Sequence, residues 1–207
     1  MPKRSLVIAA RLFFGLLTFA SLATSFIYFV IQRGYNAVNF FSFFTNLTNI
    51  FAAIVLIAGA IHLIRRKDPT ETDDIIRGSA TVAIAIVGIV FGLLLSRMEN
   101  DMIPWTNFVV HYLMPVVMVL DWLIQPPKAT LAPSHIWYWV IYPIAYLIYS
   151  LIHGAATNWY PYWFIDPGKS PGGWIGVTLY SAAITVGFLL VSFALLWLGN
   201  KLRRHTV

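Results

Sequence analysis

Hydrophobic and polar positions alternate along this chain in long blocks. Apolar runs cover residues 6–31, 39–64, 75–95, 103–124, 134–153 and 174–199. Each is long enough to cross a bilayer, which takes about 20 apolar residues in a helix. The pattern predicts an all-α integral membrane protein, a six-transmembrane-helix bundle formed as a single membrane domain over residues 1–207. The second run differs from the others because it carries Asn39, Ser42, Thr45, Asn46, Thr48 and Asn49. On a continuous helix Ser42, Thr45, Asn46 and Asn49 share one face. Lipid cannot satisfy their hydrogen-bonding groups, so this face must meet other helices or a pocket.

The first run follows Lys3 and Arg4 and contains the small residues Ala20 and Ala23, as a signal peptide does. It continues to Val30, beyond the 7–15 residues of a signal's apolar region, and is read as a retained helix. Composition agrees: 59% of the 207 residues are hydrophobic and 11% are charged, against about 25% charged in soluble domains. The net charge of +6 follows from the positions of the basic residues and does not call for nucleic acid. Lys3, Arg4, Arg65, Arg66, Lys67, Arg77, Lys128, Lys201, Arg203 and Arg204 fall at one end of the spans. Arg33, Arg97 and Lys169 fall at the other. This asymmetry predicts cytoplasmic N- and C-termini. Arg11, inside the first span, is expected to snorkel to the cytoplasmic surface. Asp121 is expected to be a solvated helix end near Lys128, and the run from Asp68 to Asp74 a polar loop. With no cysteine in the chain, thiolate chemistry and disulfides are excluded.

Counting 1.5 Å per residue from Asn39 and Trp105, near the outer ends of the second and fourth spans, puts Thr45 and His111 at similar depths, about 9 Å in. A histidine inside a membrane span is by default a candidate functional residue, and Asn107 lies one turn away on its face. If the two helices are neighbours, His111 can act as base for a Thr45 nucleophile. Asn46, Asn49 or Asn107 can then donate to an oxyanion. Asp166, in an outer loop, is the one acid within plausible reach of His111. That loop, from Tyr160 to Pro171, is rich in aromatics, proline and glycine; it reads either as a lid over the site or as an interfacial aromatic segment. The same polar residues also suit helix–helix adhesion, or a small-solute or lipid transporter or binding protein with a polar outer-half pocket. Haem held by paired histidines is a weaker alternative: His62 and His135 lie at inner ends, His111 and His153 towards the outer side, and His205 lies in the tail. Arg97, Glu99 and Asp101 form an outer charged cluster.

Three segments, Phe43–Asn49, Asn107–Pro115 and Trp159–Pro167, together resemble bacterial relatives of the androgen-induced-gene-one-like (FAR-seventeen-a-like) family. The resemblance extends over nearly the whole chain. It implies a multi-pass membrane hydrolase with Thr45 as nucleophile and His111 as base. In eukaryotic members the substrates are fatty acid esters of hydroxy fatty acids. His111 is followed by Tyr112, where the family has a threonine. From the residues and the resemblance together, the expected protein is an intramembrane ester hydrolase of a bacterial cytoplasmic membrane. The expected partners are membrane lipid and a lipid or lipophilic ester substrate, with no nucleic acid, metal or cofactor. Ser42, Asn46, Asn49, Asn107 and Asp166 would line its substrate and oxyanion pocket.

Overall fold

A computed structural model describes residues 4–98 and 101–203. Lys3, Glu99, Arg204 and His205 lie outside the described residues. The chain forms helices α1 (Arg4–Gln32), α2 (Ala37–Phe41), α3 (Phe44–Ile64), α4 (Glu71–Leu95), α5 (Pro104–Ile124), α6 (Pro133–Thr157) and α7 (Trp174–Arg203). All but α2 are long and apolar enough to cross a membrane. No strand occurs among the described residues. Leu16, Ile54, Leu93, Val116, Ile152 and Leu190, one on each of the six long helices, are more than half exposed. Such an apolar exterior suits a lipid solvent, and the protein is an all-α, multi-pass integral membrane protein.

Helix α4 is the pillar of the bundle and packs against α3, α5, α6 and α7, while α1 lies on α3. The segment of α4 from Gly78 to Gly88 explains this, because its small residues let neighbouring helices come close. A Cβ on Gly78 would lie 2.3 Å from the ring of Trp139, and one on Gly88 would lie 3.0 Å from Pro115. Indole nitrogens bring their own partners into this packing. Trp139 donates to the Ile75 carbonyl (2.8 Å) and Trp122 to the Leu195 carbonyl (2.9 Å).

The spans end where local chemistry ends them. Thr70 and Asp73 form a reciprocal cap that starts α4 at Glu71, so the Asp68–Asp74 segment is loop only as far as Thr70. Asp74 is 1% exposed. It accepts from the Lys128 and Ala129 amides (2.7 and 3.3 Å) and pairs with Arg77 (3.1 Å). Helix α6 runs four residues past His153 and stops at Asn158, whose left-handed φ of 55° terminates it.

Two expectations about charge are corrected. Arg11 does not snorkel to the surface: it is 8% exposed and grips Asp121 with two hydrogen bonds, of 2.6 and 3.0 Å. Asp121 is no solvated end, because Arg77 also donates to it (3.3 Å). Gly59 makes this possible, since a Cβ there would lie 2.8 Å from the Arg11 guanidinium. The physical reason is pairing. A charge this deep is tolerated only with its counter-charge and hydrogen bonds in place, and the two arginines and two aspartates balance. The network joins α1, α4 and α5 at the end of the bundle that carries the chain termini. Asp121→Ala would strip two buried guanidiniums of a shared carboxylate. The expected loss is about 3–5 kcal/mol, read as a large fall in melting temperature in detergent.

Candidate functional site

The polar stripe is not carried by one helix. The backbone leaves the helix at Phe43 (φ −74°, ψ 128°), between α2 and α3. The face shared by Ser42, Thr45, Asn46 and Asn49 in an unbroken helix therefore does not form. The interruption frees the Ser42 carbonyl and the first amides of α3, and apolar surroundings make such groups costly to leave unpaired. Two tyrosine hydroxyls satisfy them. Tyr146 of α6 donates to the Ser42 carbonyl (2.9 Å) and accepts from the Phe44 amide (3.2 Å). Tyr162, in the α6–α7 loop, accepts from the Thr45 amide (3.3 Å).

A second irregularity presents His111. Residues Val109–Leu113 form a π-helical turn within α5, a feature often found at functional sites. Pro115 follows it and has no N–H to give to the Val110 carbonyl. Asn49 supplies the missing donor from α3, at 3.1 Å, while also donating to the Thr45 carbonyl (2.9 Å). One amide thus ties the backbone beside Thr45 to the backbone beside His111.

The expected neighbours meet. Thr45 Oγ1 lies 3.4 Å from His111 Nε2. On the other side of the ring, His111 Nδ1 lies 2.7 Å from Asn107 Oδ1. With a carbonyl oxygen as partner, Nδ1 carries the proton and Nε2 presents its lone pair to the hydroxyl. The ring is held flat against Phe91, with centroids 3.8 Å apart and planes 17° apart. Hydroxyl, imidazole and amide oxygen form an ordered chain, the arrangement of a Cys-His-Asn site with a hydroxyl in place of the thiol. Both imidazole nitrogens have protein partners, which leaves His111 poorly placed as an axial haem ligand.

The remaining candidates are elsewhere. Ser42 faces Tyr149 (2.6 Å) and the Val38 carbonyl (2.8 Å). Asn46 donates to the Phe40 carbonyl (2.7 Å) and so closes the α2 turn instead of facing the dyad. Asn49 commits its amide hydrogens to backbone carbonyls. Asn107 orients the histidine, a role different from the oxyanion donor expected. Asp166 binds the Gly168 amide (2.8 Å) and Lys169 (3.3 Å), within its own loop. Tyr146 and Tyr162 did not stand out in the sequence. A signal for the first existed: Tyr142, Tyr146 and Tyr149 share one face of α6, and their hydroxyls meet Thr48 (3.0 Å), the Ser42–Phe44 backbone and Ser42 Oγ.

Thr45 borders a chamber of about 120 Å³ between α3, α4, α6, α7 and the 160–171 loop. Its walls are mainly aliphatic and aromatic, including Phe91, Pro143, Phe164 and Phe188. The polar pocket expected is thus an apolar one with a few hydroxyls at its edge. Ile144 on α6 is 51% exposed, and Thr185 opposite it on α7 is also exposed, so the chamber opens sideways between these two helices. The loop folds inward, with Phe164 and Ile165 buried and Tyr162 over Thr45. Burial raises the Tyr162 hydroxyl above its ordinary pKa, outweighing the bonds from Thr45 that lower it; it is a protonated phenol at neutral pH.

No protein-family model, curated protein or solved structure matches the chain. No group of three or more His, Asp or Glu suited to a metal occurs among the described residues.

Asn49→Leu would remove both bridging hydrogen bonds and leave the Val110 carbonyl buried without a donor. A loss of about 1–2 kcal/mol in stability is expected, measured as a lower melting temperature in detergent.

Proposed function

We propose that this protein is an intramembrane ester hydrolase acting on a lipid or lipophilic ester, with Thr45 as nucleophile and His111 as general base. The observation that carries the reading is the ordered chain Thr45–His111–Asn107, with distances of 3.4 and 2.7 Å, at the edge of an apolar chamber open to the membrane side. A threonine hydroxyl is a weak nucleophile until a base takes its proton. Attack forms a bond from Thr45 Oγ1 to the ester carbonyl carbon as His111 Nε2 receives the hydroxyl proton. Collapse breaks the bond to the leaving oxygen, which takes that proton from His111. Water then attacks the acyl-threonine by the same route, releasing the acid and restoring the hydroxyl. Asn107 holds the ring in the tautomer that this sequence needs.

The chamber favours hydrocarbon over a small polar solute, because polar groups placed there would give up water without replacement partners. An acyl chain would enter between α6 and α7. Fatty acid esters of hydroxy fatty acids, the substrates implied by the resemblance to the androgen-induced-gene-one-like family, are one class with this character. The charge asymmetry of the loops supports cytoplasmic termini with the site in the outer half, and the resemblance to bacterial relatives supports a bacterial cytoplasmic membrane.

The test is labelling of the purified protein with a fluorophosphonate, followed by turnover of medium-chain 4-nitrophenyl esters. Thr45→Ala is expected to abolish labelling, and Thr45→Ala or His111→Ala to lower kcat/KM by at least about 1,000-fold. Asn107→Ala would misplace the ring and cost roughly 100-fold. Labelling that persists in Thr45→Ala removes the nucleophile assignment. A folded wild type that neither labels nor turns over any ester, yet retains a lipid through purification, leaves a lipid-binding protein instead.

A further inference from the structure

Attack on an ester places negative charge on the carbonyl oxygen, and a chamber this apolar cannot solvate it. A hydrogen-bond donor must wait beside Thr45. The asparagines nearest in sequence are engaged: Asn46 with the Phe40 carbonyl, Asn49 with the Thr45 and Val110 carbonyls. Tyr146 borders the chamber but spends its proton on the Ser42 carbonyl (2.9 Å). Tyr162 is different. Its hydroxyl receives the Thr45 amide proton (3.3 Å) and lies 3.4 Å from Thr45 Oγ1, at the limit of a hydrogen bond, on the wall of the chamber. A hydroxyl that accepts one hydrogen bond is polarised and becomes a better donor of another.

We propose that Tyr162 is a further catalytic residue of this site, the donor that holds the oxyanion formed when Thr45 attacks an acyl ester in the chamber. The inference rests on the hydrolase reading above. In the attack step the carbonyl π electrons move onto oxygen, and Tyr162 shares its proton with that oxygen without transferring it. On collapse the electrons return and the hydroxyl resumes its contact with Thr45. The ring is fixed independently of its hydroxyl, stacked parallel on Phe164 (centroids 5.1 Å apart) and edge-on to Phe43 (5.7 Å). Removing the oxygen alone therefore keeps the ring seated, at the cost of the bond from the Thr45 amide. Because Tyr162 belongs to the loop rather than to a spanning helix, a productive site forms only when the loop is seated over Thr45.

The experiment compares wild type with Tyr162→Phe, Tyr149→Phe and Thr45→Ala in detergent, using 4-nitrophenyl octanoate. An alkyl trifluoromethyl ketone, whose adduct carries the same oxyanion, serves as inhibitor. Tyr162→Phe should lower kcat about 100-fold, leave KM within about threefold, and weaken the ketone in proportion to kcat/KM. Tyr149→Phe, whose hydroxyl faces Ser42 away from the chamber, should leave kcat within about threefold. If Tyr162→Phe does not fold, a fluorinated tyrosine at position 162, which ionises at lower pH, should shift the alkaline limb of the kcat profile to lower pH. Unchanged kcat and ketone affinity in Tyr162→Phe, or an unmoved limb with the fluorinated residue, overturns the Tyr162 assignment while Thr45-dependent turnover keeps the hydrolase. Absence of Thr45-dependent turnover in wild type overturns both.

Discussion

A backbone amide or carbonyl inside a membrane protein must find its partner within the protein, and the form of this molecule at the site follows from that rule. Around Thr45 and His111 the chain departs from regular α-helix at Phe43 and at Val109–Leu113. Each break releases groups that a regular helix would have paired, and side chains from other helices bind them. Tyr146 and Tyr162 attend to the first break; Asn49 attends to the second. The side chains that repair the backbone are therefore the same ones that fix Thr45 and His111 relative to each other. Positioning of the dyad does not need a separate set of supports. It is a by-product of satisfying the main chain.

The two ends of the bundle are stabilised by different means, and the difference suits their roles. At the end carrying the termini, Arg11, Arg77, Asp74 and Asp121 form a closed ionic set locked between helices. Breaking any member leaves a buried charge, so this end is expected to be stiff. At the other end, neutral hydrogen bonds of modest strength and aromatic packing hold α3, α6 and the loop. Rearrangement there costs less, as the proposed hydrolase would need in order to admit and release a substrate. Helix α4 connects the two, and Phe91 near its far end sets the plane of the His111 ring.

Much of the architecture was legible because it rests on composition and length. Six long apolar runs give six spanning helices, and the depth count from Asn39 and Trp105 brought Thr45 and His111 to one level. The break at Phe43 was not legible: Asn39 to Asn49 is apolar enough for one helix, and nothing local marks the interruption, whose partners are a hundred or so residues away in Tyr146 and Tyr162. The role of Asn107 was half visible. Its place one turn from His111 is simple periodicity, but whether it would face the ring or an oxyanion depended on the π-helical turn. The reading of Asp121 as a solvated end failed for a related reason. Position along a helix indicates depth, while burial depends on what stands opposite, and Arg11 and Arg77 come from segments far apart in sequence.

The chamber restricts the chemistry by what it cannot hold. Moving an ionised group into such surroundings without a counter-charge costs many kcal/mol, and the chamber walls named above offer hydroxyls but no charged side chain. A charged headgroup is excluded, so under the proposed function the part of a substrate that enters would be hydrocarbon. The hydroxyls of Thr45, Tyr146 and Tyr162 gather where α3 begins, at the chamber's edge. In the proposed reaction the bond under attack would lie where the chain becomes polar, with its hydrocarbon reaching back between α6 and α7. An ester joining a long chain to a second lipophilic group satisfies this geometry at the bond itself, since its carbonyl is neutral before attack and acquires charge only beside the hydroxyls. For the proposed hydrolysis the electrostatic demand would thus arise in the transition state and not in the bound substrate, which is the condition under which preorganised donors accelerate a reaction instead of merely tightening binding.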